Sequence, residues 1–273
     1  MANVTSKDST TIAYAQQGAG PAVILVDGAM CYRSFGPMAR LAELLAPSFT
    51  VTTYDRRGRG ESSNAKVYAL ERELEDIDAL VGIAGGSAFL FGTSSGGCLA
   101  LEAALRLGQK IGKLAVYEAP YNSEPGARQQ WHDYRQQLGD LLAAGRRGDA
   151  VTLFMRFVGT PADQIEGMRQ APMWPMLEAI APTLAYDAAA IGEDRTAPVS
   201  RAARLTVPAL VLDGGASMAY MPFMHASASA LAKAIPQAQQ RTLEGQTHDV
   251  NLEVLAPVLV EFFSQFHYRT VFE

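Results

Sequence analysis

The chain has 273 residues, 48% of them hydrophobic, with two cysteines and a formal net charge of -5. A chain of this length and apolar content can bury its own core in one or two domains without disulfide or metal staples, and it is not a disordered sequence. The acidic balance leaves no cluster of Lys and Arg for a phosphate backbone, so no nucleic-acid partner is expected.

Strand-length apolar runs alternate with helical patterns along the chain. The order begins with a strand at 22–26, a helix at 36–46 and a strand at 49–54. A helix at 69–84, a strand at 88–91, a helix at 95–108 and a strand at 114–117 follow. After a gap come a strand at 209–212, a helix at 222–234, a strand at 239–243 and a helix at 249–266. Runs such as Ala22-Val23-Ile24-Leu25-Val26 are apolar at every position, the pattern of parallel strands buried on both faces. The alternation predicts an α/β fold: a doubly wound, mostly parallel sheet. Residues 121–200 break the rhythm. They hold amphipathic helical stretches punctuated by Pro125, Pro161, Pro172, Pro175, Pro182 and Pro198, and no apolar strand. The expected organisation is a core of residues 1–120 and 201–273 with a helical cap at 121–200.

Cys31 and Cys98 frame neither a disulfide scaffold nor a zinc site. No run of about 18 apolar residues predicts a membrane span, and the first residues lack the apolar centre of a secretory signal. A soluble, cytoplasmic protein is expected. No His, Cys and carboxylate cluster predicts a metal, and no dinucleotide fingerprint predicts a cofactor.

Chemistry concentrates in Phe91-Gly92-Thr93-Ser94-Ser95-Gly96-Gly97, which fits G-x-S-x-G with Ser94 central. An apolar strand precedes it and a helix follows, the strand–turn–helix setting that such a nucleophile requires. Small flanking residues let the chain turn tightly and present the hydroxyl. The plainer reading, a glycine-rich turn for packing or phosphate, lacks the lysine and spacing of a phosphate-binding loop.

Three further segments accompany the elbow. Val23-Ile24-Leu25-Val26-Asp27-Gly28 is one, Asp55-Arg56-Arg57-Gly58-Arg59-Gly60-Glu61-Ser62 the second, and Gly245-Gln246-Thr247-His248-Asp249 the third. With these motifs in this order, the chain resembles α/β-hydrolase-fold proteins over nearly its whole length. The resemblance implies a serine nucleophile at Ser94, a histidine base at His248, and oxyanion donors in the backbone amides of Ala29 and Ser95. His132, His225 and His267 read as surface or packing residues. Asp55 and Arg56 read as loop ties.

Two departures stand out. The family's usual acid, aligned on Pro208, falls at Ser217, so the acid must come from elsewhere. Glu118, ending the strand after the nucleophile helix, and Asp213, on the usual loop, are the alternatives. Glu118 is favoured because it would share the sheet edge with Ser94 and its longer side chain reaches further. The family's histidine before the oxyanion glycine is Asp27 here, read as a re-braced loop. Met30, Trp174, Met218 and Met221 fall on segments expected around the strand ends and suit an apolar ligand. The sequence therefore reads as a cofactor-independent serine hydrolase. Its expected substrate is a small carboxylic ester, lactone or thioester with an apolar group, turned over through an acyl-enzyme. The alternative is a ligand-binding or biosynthetic protein that reuses the same pocket.

Overall fold

The structure, a computed structural model, describes residues 2–265; His267 lies outside them. Eight strands form one sheet: β1 (Ala2–Thr5), β2 (Thr11–Gln17), β3 (Ala22–Val26), β4 (Thr50–Tyr54), β5 (Ala88–Thr93), β6 (Ile111–Tyr117), β7 (Ala209–Gly214) and β8 (Ala238–Leu243). Their spatial order is β1-β2-β4-β3-β5-β6-β7-β8. The six strands from β3 onward pair in parallel, while β1 and β2 add an antiparallel edge. That edge hairpin is absent from the sequence expectation. Only Ile12 and Ala13 of its eleven residues are buried, so it carries no continuous apolar run to read.

Helices α1 (Met38–Leu45), α2 (Leu70–Ile83) and α3 (Ser95–Leu107) follow in the first half of the chain. Between β6 and β7 lie α4 (Ala127–Ala143), α5 (Arg147–Phe157), α6 (Ala162–Arg169), α7 (Trp174–Ile180), α8 (Leu184–Ile191) and the short α9 (Val199–Ala202), with no strand. Helices α10 (Pro222–Ala234) and α11 (Leu252–Ser264) flank β8 in sequence.

The strands sort their side chains by parity, as a pleat demands. Ile24 and Val26 of β3 face a core shared with α2, α3 and α10. Val23 and Leu25 face the opposite core, shared with α1 and α11. Both faces being covered explains why β3, β5, β6 and β7 are apolar over most of their length. A third apolar cluster, with Trp131, Leu138, Val151, Trp174 and Leu184, belongs to the helices between β6 and β7 and includes Met30.

Register fixes the site. Val26 pairs with Gly92, Thr93 with Tyr117, Tyr117 with Leu212, and Gly214 with Leu243. The residues just past these positions therefore emerge along one edge of the sheet, its carboxyl end, where open α/β sheets bind ligands.

Candidate active site

Ser94 occupies the turn between β5 and α3 with φ 54° and ψ -131°. This conformation is costly for a non-glycine residue, on the order of 1–3 kcal/mol, and surrounding contacts must hold it. The Ser94 amide donates to the Tyr117 carbonyl at 2.9 Å, and the Gly97 amide donates to the Ser94 carbonyl at 2.9 Å. The two motif glycines permit close approach. A Cβ on Gly92 would lie 2.3 Å from the Gly96 carbonyl oxygen, and one on Gly96 would lie 2.4 Å from that of Val26. The start of α3 thus packs directly on the end of β3, and Ser94 remains partly accessible.

Glu118 follows β6 with φ 46° and is fully buried. Its Oε2 lies 2.7 Å from Nδ1 of His248, and its Oε1 accepts the Gly214 amide at 2.9 Å. An ionised carboxylate only accepts, so this contact assigns the imidazole proton to Nδ1 and leaves Nε2 as the free acceptor. The loop bearing His248 is pinned from both sides. The Tyr117 hydroxyl donates to the Thr247 carbonyl at 2.5 Å, and the Ala216 amide donates to the Gln246 carbonyl at 2.9 Å. Among the described residues the Ser94 hydroxyl makes no hydrogen bond to His248. Such bonds often tighten only when substrate is bound.

Asp213, the alternative acid, faces elsewhere. Its Oδ2 lies 2.8 Å from Nδ1 of His225, and the Thr242 hydroxyl donates to it at 3.2 Å. His225, read from the sequence as a surface or packing residue, therefore has its own buried carboxylate. Ser217, at the family's usual acid position, is buried with its hydroxyl unpaired among the described residues.

The oxyanion-loop candidates lie beside Ser94: a Cβ built on Gly28 would sit 3.2 Å from the Ser94 Cβ. Two arginines brace this loop through its carbonyls. Arg59 donates to Gly28 at 2.6 Å, and Arg56 donates to Asp27 at 3.3 Å. Both also bind Asp187 of α8, at 2.7 and 2.6 Å, and Arg56 makes a two-pronged contact with Glu73. The Ser95 hydroxyl donates to the same Asp187 at 2.8 Å. Burial pushes the Asp187 carboxyl up, but Arg59, Arg56 and the Ser95 hydroxyl outweigh it and its pKa is lowered. Asp187 is a functional candidate that the sequence reading missed. The one signal was a lone carboxylate inside the otherwise apolar Leu184-Ala185-Tyr186-Asp187-Ala188-Ala189-Ala190-Ile191.

Asp27 is buried with Oδ1 unpaired among the described residues. Burial raises its pKa to about 7, against the opposing pull of Arg59 and Arg56. Asp55 ties loops instead, accepting the Arg33 and Glu61 amides at 2.8 and 2.9 Å.

Of the four apolar candidates, two belong to the same apolar cluster. Met30, at φ 62°, and Trp174 share the apolar cluster of the helical insertion. Met218 is exposed, and Met221, just before α10, is half-buried; both lie outside the apolar clusters. Among the described residues no group of three His, Cys, Asp or Glu can hold a metal ion, and no helix is long and apolar enough to cross a membrane.

A model of the alpha/beta hydrolase family matches residues 18–260. The uncharacterized hydrolase YraK of Bacillus subtilis (strain 168) is 32% identical over 111 residues, which span 39% of this chain and 40% of that relative. An α/β hydrolase structure from Sphaerobacter thermophilus DSM 20745 is 49% identical, with a TM-score of 0.85 over 96% of this chain and 100% of that one. The enol-lactonase from Burkholderia xenovorans LB400 shares the fold at 21% identity, with a TM-score of 0.68 over 97% and 100% of the two chains. The parallel sheet, the strained turn at Ser94 and these matches lead to one conclusion: the chain belongs to the alpha/beta hydrolase family.

Proposed function

We propose that the protein is a serine hydrolase for a carboxylic ester or related acyl compound, such as a lactone or thioester, with an apolar group. The observation that carries this reading is the 2.7 Å contact between His248 Nδ1 and Glu118 Oε2, at the same sheet edge as Ser94. Ser94 attacks the carbonyl carbon while Nε2 of His248 takes the hydroxyl proton. The imidazolium then protonates the leaving oxygen or sulfur, and an acyl-enzyme remains. A water, deprotonated by the same Nε2, attacks the acyl carbonyl and regenerates the hydroxyl. Glu118 acts through His248: it fixes the ring's tautomer and stabilises its positive charge. The amides of Ala29 and Ser95 hold the developing oxyanion, and one such donor is typically worth ~3 kcal/mol. Helices α4–α8, between β6 and β7, are read as a cap over this edge.

A fluorophosphonate probe tests the assignment directly. The expected result is stoichiometric labelling that Ser94→Ala abolishes, together with hydrolysis in a series of aryl esters of increasing acyl length. Full labelling or full hydrolysis by Ser94→Ala would overturn the mechanism. An unlabelled wild-type protein without turnover would favour a ligand-binding protein on the same fold.

A further inference from the structure

Of the buried or half-buried arginines near the strand ends, Arg33, Arg56, Arg57 and Arg59 are neutralised, Arg33 by Asp55 and Glu61. Arg56 meets Glu73 and Asp187, Arg57 meets Asp8 and Asp76, and Arg59 meets Asp187. Arg195 is the exception: it forms no ion pair among the described residues. It sits between α8 and α9, and its backbone adopts φ 59°. Its Nε donates to the Pro120 carbonyl at 2.8 Å, and its own carbonyl accepts the Asn122 amide at 2.7 Å. Both contacts fall on the segment that leaves β6 immediately after Glu118.

The guanidinium is framed by rings. Its carbon lies 4.9 Å from the ring centres of Phe157 and Phe223 and 5.6 Å from that of Trp131. Among the described residues neither Nη atom makes a hydrogen bond, and neither is fully sealed from solvent. The adjacent carboxylate, Asp194, turns away to Thr196 and Arg128. The Arg195 charge acts on Cys98, one turn of α3 beyond Ser94, and Glu124 acts on Arg195 at longer range without forming an ion pair with it. Burial lowers the Arg195 pKa to about 10, which leaves it charged at neutral pH.

A guanidinium with both terminal nitrogens free is a planar fork that matches a carboxylate in two parallel hydrogen bonds. Surrounding apolar rings weaken its competing hydration, and a single cation fits a monoanion. We propose that Arg195 receives a carboxylate of the substrate, so that the compound hydrolysed carries an anionic group as well as the scissile carbonyl. The proposal rests on the acyl-transfer reading of Ser94, His248 and Glu118, and it names the substrate class for that site.

The test uses pairs of 4-nitrophenyl esters of equal chain length, one ending in a methyl group and one in a free carboxylate, from succinate to adipate. In the wild-type protein at least one chain length should show a kcat/KM ratio favouring the anionic ester. Arg195→Gln should reduce that ratio at least tenfold, and Arg195→Lys should retain part of it. A ratio that stays constant across the three proteins overturns the proposal. A second measurement needs no variant: glutarate should inhibit hydrolysis of the neutral ester competitively and more tightly than glutaramide. Equal inhibition would also overturn it. Failure of the acyl-transfer reading is distinguishable. If neither ester is hydrolysed but glutarate raises the Tm of the wild-type protein and not of Arg195→Gln, the anion site stands without the chemistry.

Discussion

Glu118 and Asp213 each hold a histidine Nδ1, at 2.7 and 2.8 Å, but the two imidazoles belong to different elements. His248 rides the loop after β8, tied back to β6 and β7, whereas His225 belongs to α10. Glu118→Gln should therefore lower kcat on an aryl ester by roughly 10²–10⁴-fold with little change in Tm, as loss of the orienting charge does in related triads. Asp213→Asn should lower kcat less than tenfold. Kinetics with these roles exchanged would move the acid to Asp213. Asp27 yields a prediction about pH. Its folded pKa of about 7 lies above the ordinary 3.8, so the native state binds the proton more tightly than the unfolded chain. Stability must then decline as pH rises from about 4 to about 7 and stay reduced above that. Asp27→Asn removes the effect. Its Tm should converge with the wild type near pH 4 and exceed it at pH 8, with an upper bound of about 4 kcal/mol from the size of the shift. Thermal melts across this range check it, and parallel Tm curves would sink it.

At the scale of elements, the position of α3 is set by how little side chain its first turn carries. A Cβ on Gly96 would meet the Val26 and Asp27 carbonyl oxygens at 2.4 and 2.5 Å, both of them backbone atoms leading into the Gly28-Ala29 loop, the proposed oxyanion loop. Gly96→Ala must push helix and loop apart. It should cost roughly 1–3 kcal/mol, as overpacking does, and also depress kcat, because the displaced loop carries the amide of Ala29. Gly139 is the contrasting case. It lies inside α4, where an added Cβ meets nothing within 4 Å. Gly139→Ala should stabilise by about 0.5–1 kcal/mol through helix propensity alone. Urea melts of the two variants, with aryl-ester kcat for Gly96→Ala, test both; an unchanged kcat in that variant would separate α3 packing from the oxyanion loop.

Across the whole molecule, the sequence exposes what is local and hides what is distant. Strands β3, β5, β6 and β7 are legible because burial on both faces leaves apolar runs, β4 reads from its β-branched residues, and the edge strand β8 is mostly polar and half-exposed, with no such run. The β1–β2 hairpin is not legible, because its half-exposed residues carry no such signal. Ser94, Glu118 and His248 each stand at a strand end or in a short loop that the pattern marks. The partners that organise them do not. Asp187 meets Arg56 and Arg59 across 131 and 128 residues of chain, and no periodicity encodes a contact of that span. That contact joins the helices between β6 and β7 to the sheet. Asp187 sits on α8, while its two arginines follow β4 and brace the loop of Asp27 and Gly28, proposed above to lead into the oxyanion site. Removing one partner of a buried, charged cluster typically costs ~3–5 kcal/mol, because the remaining charges stay buried. Asp187→Asn should therefore loosen the helical insertion more than the sheet. Both tryptophans of the chain, Trp131 and Trp174, lie in the insertion's apolar cluster, so tryptophan fluorescence reports on it while far-UV circular dichroism reports on the whole fold. In the wild-type protein the two urea transitions should coincide, the mark of one cooperative unit. In Asp187→Asn the fluorescence transition should move to lower urea and separate from the dichroism. Coincident transitions in the variant, or separated ones already in the wild type, would show that the insertion and the sheet are not coupled through Asp187.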